Sequence, residues 1–181
     1  ELAEEKPDDP AAIDALCWVI KQSLGVGVMD RQISTIHRRA VEMLESRNGF
    51  DDDRTRGLFR HALGYPASWT EHYLRSALQK ARSKEIRGLA CLSLARLLEA
   101  RAELSVSPWF DKPEKKPFEA FLVQRFDAEV AAYCRTADVK ATRAEALLLF
   151  DRAIDEFGDR VYAVMPEGRG EVKIERIART E

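Results

Sequence analysis

The sequence predicts an all-α fold: antiparallel helical hairpins, one inserted helix and a short extended C-terminal tail. Two stretches carry most of that expectation. IRGLACLSLARLLEARAEL is apolar nearly all the way round, which is how a central helix with neighbours on several sides reads. AEALLLFDRAIDEFGD sets Ala146, Phe150, Ala153 and Phe157 on one stripe. Small residues at alternate turns let another helix approach closely, and aromatics fill the gaps beside them. Most remaining segments repeat apolar residues every three or four positions.

The elements follow in order. Asp9-Pro10 opens the first helix, with an acceptor at the N-cap and proline at the first helical position. Ile13, Leu16, Cys17 and Ile20 form its stripe, and Gly25 and Gly27 stop it. The second helix runs from about Arg31 to Ser46, with Ile33, Ile36, Ala40, Met43 and Leu44 inward, and Asn48-Gly49 closes it. Asp51, Asp52 and Asp53 read as an acidic cap on a short helix that Gly64-Tyr65-Pro66 breaks. Ser68-Trp69-Thr70-Glu71 matches a capping box. It opens a helix with the stripe Tyr73, Leu74, Ala77, Leu78 and Ala81.

Ile86 to Leu104 is the organising helix, with Gly88, Ala90 and Ala95 leaving room for neighbours. The proline-rich stretch over residues 105–117 is a loop. Phe118 to Cys134 is helical again, with Leu122, Phe126, Val130 and Tyr133 inward. The last helix spans Asp138 to Phe157 and ends at Gly158, at a position favouring a left-handed backbone. GEVKIERI alternates as a strand does, with its partner expected elsewhere. The domain reading is therefore one helical domain over 1–159 and an extended tail or linker over 160–181 towards a missing domain. A chain opening on Glu1 fits a piece of something longer.

Composition narrows the function classes. Lys and Arg number 29 against 31 Asp and Glu, interleaved, for a net charge of −2. A dedicated nucleic-acid surface needs a clustered basic excess, so none is expected. No apolar run reaches the ~18–20 residues of a membrane span. Cys17, Cys91 and Cys134 are odd in number and far apart, and each lies among apolar residues. That reads as buried thiols, neither a disulfide framework nor a metal knuckle.

No catalytic, cofactor-binding or metal-ligating set stands out. His37, His61 and His72 lack metal-ligand spacing and read as solvated or half-buried structural histidines. The Asp51–Asp53 run lacks the glycine and distal glutamate of a calcium loop. Gly25-x-Gly27 lacks the third glycine of a dinucleotide fingerprint, and no Gly-x-Ser-x-Gly elbow occurs. Trp18 and Trp69 fall on helices, at the core or its rim. Trp109 and Phe110 stand in the proline loop, where they either fold back onto the core or form a docking point for a partner.

The Ala146, Phe150, Ala153 pattern resembles the second helix of a tetratricopeptide-type hairpin, with Leu94-Ala95-x-x-Leu98 as a first helix. The proline loop and a whole helix separate the two, so the array is irregular; an irregular helical bundle is the plainer alternative. DDPAAIDALCWVI, EIRGLACLSLARLLEA and AEALLLFDRAIDEFGD together resemble the helical region preceding the thioredoxin-like domain of large bacterial envelope redoxins, which are thiol-disulfide oxidoreductase-type proteins. The chemistry of those proteins lies in a Cys-x-x-Cys that this sequence does not contain. The resemblance implies a non-catalytic, exported scaffold or interaction module whose partner is a protein or an adjacent redoxin domain, with no cofactor of its own. Two alternatives stand beside it. One is a helical bundle binding a small ligand; the other is an enzyme whose site gathers His61, His72 and Asp51–Asp53.

Overall fold

A central helix with partners on several sides organises the molecule. The computed structural model describes residue 5 and residues 9–25, 31–61, 66–106, 128–159, 161–164 and 171–174. The helices are α1 (Pro10–Gly25), α2 (Arg31–Ser46), the short α3 (Leu58–His61), α4 (Ser68–Lys80), α5 (Lys84–Ser105), α6 (Ala128–Arg135) and α7 (Val139–Phe157), with a 3₁₀ turn at Gly49–Asp51. Two short strands follow, β1 (Val161–Val164) and β2 (Glu171–Lys173).

The centre is α5. Leu89, Leu92, Leu94, Leu97, Leu98 and Cys91 are all fully buried, although they point to different sides of the helix. It packs most extensively on α7, then on α4, and also meets α3 and α6. Ala90 and Ala95 are completely covered where neighbours approach, and Ala146 and Ala153 do the same for α7. The all-helical body and the pairing of successive helices agree with the sequence reading.

Local chemistry accounts for the helix ends. Asp9 Oδ1 accepts the Ala11 backbone N–H at 2.9 Å and so starts α1. Ser83 Oγ accepts from Ile86 N at 3.3 Å, and Asp138 Oδ1 from Ala141 N at 3.0 Å, capping α5 and α7. Asn48 turns the chain after α2 with φ of 50°, in the left-handed region that Asn tolerates. Gly158 does not: its φ of −57° and ψ of −29° keep it right-handed, so α7 ends without the expected left-handed cap.

Several expectations shift. In α2 the buried positions are Ser34, His37, Ala40, Val41 and Leu44, while Ile36 is exposed. The covered face is rotated about one residue from the one that apolar spacing favours. The side chain of Ile33, like Leu122, Phe126, Trp109 and Phe110, lies outside the described residues. Trp18 is 64% exposed, whereas Trp69 is buried. Ala67, not Ser68, occupies the N-cap of α4, and it makes no side-chain bond. Glu71 is thereby freed from the capping box for a tertiary role.

The C-terminal segment also differs from an extended tail whose strand pairs elsewhere. β1 and β2 pair antiparallel with each other, in a register of Ala163 with Val172 and Val164 with Glu171, and an irregularity between Val161 and Ala163. The strand immediately after α7 supplies the missing partner. Ile174 then enters the core, fully buried, with its Cδ1 over the Gly88 backbone of α5.

Candidate functional site

The three thiols bear first on any redox role. Cys17, Cys91 and Cys134 are free and buried. Burial pushes Cys17 and Cys134 up to about 11 and Cys91 up to about 12. The Cys91 Sγ donates to the Leu149 carbonyl at 3.3 Å, and Cys134 Sγ lies 3.8 Å from the Pro66 carbonyl. A thiol held protonated and covered is a poor nucleophile, because the thiolate is the reacting species. These cysteines pack as small apolar side chains, as their neighbours in sequence predict.

The dispersed His and Asp residues are not drawn together by any bond among the described residues. Asp51 leaves its own turn and caps α5 from outside: its Oδ2 accepts Arg82 N and its Oδ1 accepts Ser83 N, both at 2.9 Å. This corrects the local-cap expectation, since α3 begins only at Leu58, well past the acidic run. Asp52 instead binds Arg54, with Nη2 to Oδ2 at 2.6 Å, and that guanidinium holds its carboxyl below the usual range. Arg54 extends the contact to Asp14 on α1 at 3.2 Å. His72 reaches Glu45 on α2, Nε2 to Oε1, at 3.1 Å. The His61 side chain lies outside the described residues. His37 corrects the solvated reading: it is buried, and burial lowers it to about 4. Among the described residues, no group of three His, Cys, Asp or Glu could hold a metal ion.

Two polar clusters do form, and the sequence reading missed both. In the first, Glu45 receives the Ser76 hydroxyl and the His72 imidazole on one oxygen, Oε1, with the Lys80 ammonium at 3.9 Å. Ser76, Lys80 and His72 share one face of α4 because they are spaced by four. An activated serine needs its proton aimed at a good base. Here it is aimed at a carboxylate, and His72 sits on that carboxylate rather than on Ser76. The cluster clamps α2 to α4.

The second cluster centres on Glu71. It receives the Tyr133 hydroxyl, the Arg75 guanidinium at 2.7 Å and Arg101 at 3.5 Å. Arg75 continues to Glu145 at 2.7 Å, and both carboxylates hold its charge more firmly than usual. Arg101 stacks on the Tyr133 ring at 3.9 Å and donates to the Tyr133 carbonyl at 3.1 Å. Burial first, and the Glu71 bond second, push the Tyr133 phenol well above its ordinary value. A phenol so protonated serves as a hydrogen-bond donor, not a base. This cluster ties α4, α5, α6 and α7. Its only linear signal is the Glu71–Arg75 spacing of four.

Alongside the clamps lies an open cleft of about 730 Å³, between the end of α2, the end of α4 and the start of α5. Arg47, Lys80 and Arg82 line it, with Asp51 and Ser83 at one side and Phe50 also in its wall. The Arg82 guanidinium makes no hydrogen bond or ion pair with any described residue, and the side chain is exposed. Asp51, the only acid in the lining, is already engaged by two backbone N–H groups. The cleft is cationic because residues from three elements converge on it.

No helix among the described residues is long and apolar enough to cross a membrane. Comparison with protein-family models, with curated proteins and with solved structures finds no match for this chain.

Proposed function

We propose that this chain is a non-catalytic helical accessory domain that acts as a scaffold beside a redoxin-type thiol-disulfide oxidoreductase domain, in a tetratricopeptide-like arrangement of hairpins. One observation carries the reading: all three thiols are buried and held protonated while the helices spend their chemistry on packing one another. A thiol-disulfide oxidoreductase exposes at least one low-pKa thiol; here the three thiols, on α1, α5 and α6, are all covered. The fit of Ala146, Phe150 and Ala153 against α5 supports the stacked-hairpin part of the proposal.

Disulfide reduction by the purified chain tests it, with insulin as the substrate and dithiothreitol as the electron source. The expected rate equals that of dithiothreitol alone. Turnover above that background, abolished by replacing any one of the three cysteines with alanine, overturns the proposal.

A further inference from the structure

We propose that the cleft lined by Arg47, Lys80 and Arg82 binds a small phosphorylated molecule, with the phosphoryl group held by Arg82 and Lys80. The inference stands apart from the accessory-domain reading, since it needs neither a redoxin nor a stacked array.

The argument starts from charge. The lining carries three cations and one acid. That acid keeps its charge, so the lining is net positive by two; its oxygens accept backbone N–H groups from Arg82 and Ser83. Asp51 also fixes the loop over 81–83, which sets the direction in which Arg82 leaves the backbone. Arg82 has no partner among the described residues. Lys80 has only a long contact to Glu45, 3.9 Å, and one to the Ser76 hydroxyl, 3.5 Å. A guanidinium and an ammonium converging from separate helix ends, in a concavity, match an anion with several oxygens better than a carboxylate alone.

Size and chemistry then narrow the class. A cleft of about 730 Å³ has room for a phosphate ester or a diphosphate as well as for a single phosphate. Phe50 is the one large apolar side chain in the lining and is itself almost wholly covered. The exposed lining divides almost evenly between polar and apolar surface, and the charges in it suit a polar, anionic ligand. Neither the run of chain nor the net charge of −2 announces such a site, because Arg47 and Arg82 are thirty-five positions apart and meet only on folding.

Isothermal titration with sodium pyrophosphate, in low-salt buffer, tests the proposal on the whole chain. Inorganic phosphate and a phosphate monoester such as glycerol phosphate run in parallel, to separate a diphosphate or ester preference from simple phosphate binding. Saturable binding is expected. Arg82→Glu should weaken it at least about tenfold, because it removes one of three positive charges and adds a negative one. Lys80→Gln should weaken it by a smaller factor. Lys140→Glu makes the same net-charge change on the exposed side of α7 and should leave affinity within about twofold. Circular dichroism of each variant verifies that the exposed substitutions leave the fold intact. Absence of saturable binding for all three ligands overturns the inference. So does equal weakening by Arg82→Glu and Lys140→Glu, which would reduce the effect to overall charge.

Discussion

Gly88→Ala sets helix propensity against packing, and the two give opposite signs. In an isolated helix the change would stabilise by about 1 kcal/mol, because alanine loses less backbone entropy than glycine. In the folded chain the added Cβ would lie 2.7 Å from Ile174 Cδ1, 2.8 Å from Phe157 Cβ and 3.1 Å from Phe157 Cγ. The Ile174 methyl is the end of a flexible side chain and can turn aside. Phe157 Cβ is fixed to the last turn of α7, so relief requires that helix to move away from α5. Overpacking of this kind costs about 1–3 kcal/mol. With two separate approaches below 3.0 Å the upper half of that range applies, and the net result is a loss of roughly 1–2 kcal/mol after the propensity gain. Urea unfolding followed by far-ultraviolet circular dichroism measures it. Ile174→Ala supplies the second arm. Alone it should cost about 2–5 kcal/mol, as a fully covered isoleucine does. In its background Gly88→Ala should cost less, since one of the two obstructions is gone. A stabilised Gly88→Ala protein would refute the packing argument; strict additivity of the two changes would refute the docking of Ile174 on Gly88.

Four further outcomes are expected. His37 is held near 4 in the folded chain against 6.5 when unfolded, so the unfolded state takes up the proton first. Stability should be full above about pH 6.5 and fall by up to about 3 kcal/mol as pH drops towards 4; His37→Leu should flatten that slope in urea titrations across the range. The cysteines should react with Ellman's reagent at neutral pH only as fast as the chain opens, with labelling accelerated by sub-denaturing urea; rapid native labelling would contradict their burial. Ser93→Ala should cost about 1–3 kcal/mol in thermal or urea unfolding, because it strips the buried Phe59 carbonyl of a hydroxyl donor at 2.6 Å. On α7, Leu148→Glu should change stability by less than about 0.5 kcal/mol, its side chain being 69% exposed, while Leu149→Ala, one position on, should cost about 2 kcal/mol or more.

The sequence by itself determined the order of the described helices and the identity of the central one; most of the expected 105–117 loop and the expected helix start at Phe118 lie outside the described residues, and α3 begins later than the acidic run suggests. That order and that identity rest on interactions within a few residues: apolar spacing, the Asp9, Ser83 and Asp138 caps, and the small residues of α5 and α7. The burial of the three cysteines was legible for the same reason. Tertiary structure decided the rest. Which face of α2 turns inward depends on what α1 and α4 offer it, and it covers His37 and Ser34 in preference to Ile36. Glu71 reads locally as half of a capping box, yet Tyr133, Arg75 and Arg101 claim its carboxylate. Asp51 reads as a cap for the next helix and serves one more than thirty residues away. The cationic cleft belongs with these cases. Charge acts through space, and only the fold brings Arg47, Lys80 and Arg82 to a common surface with a single acid beside them.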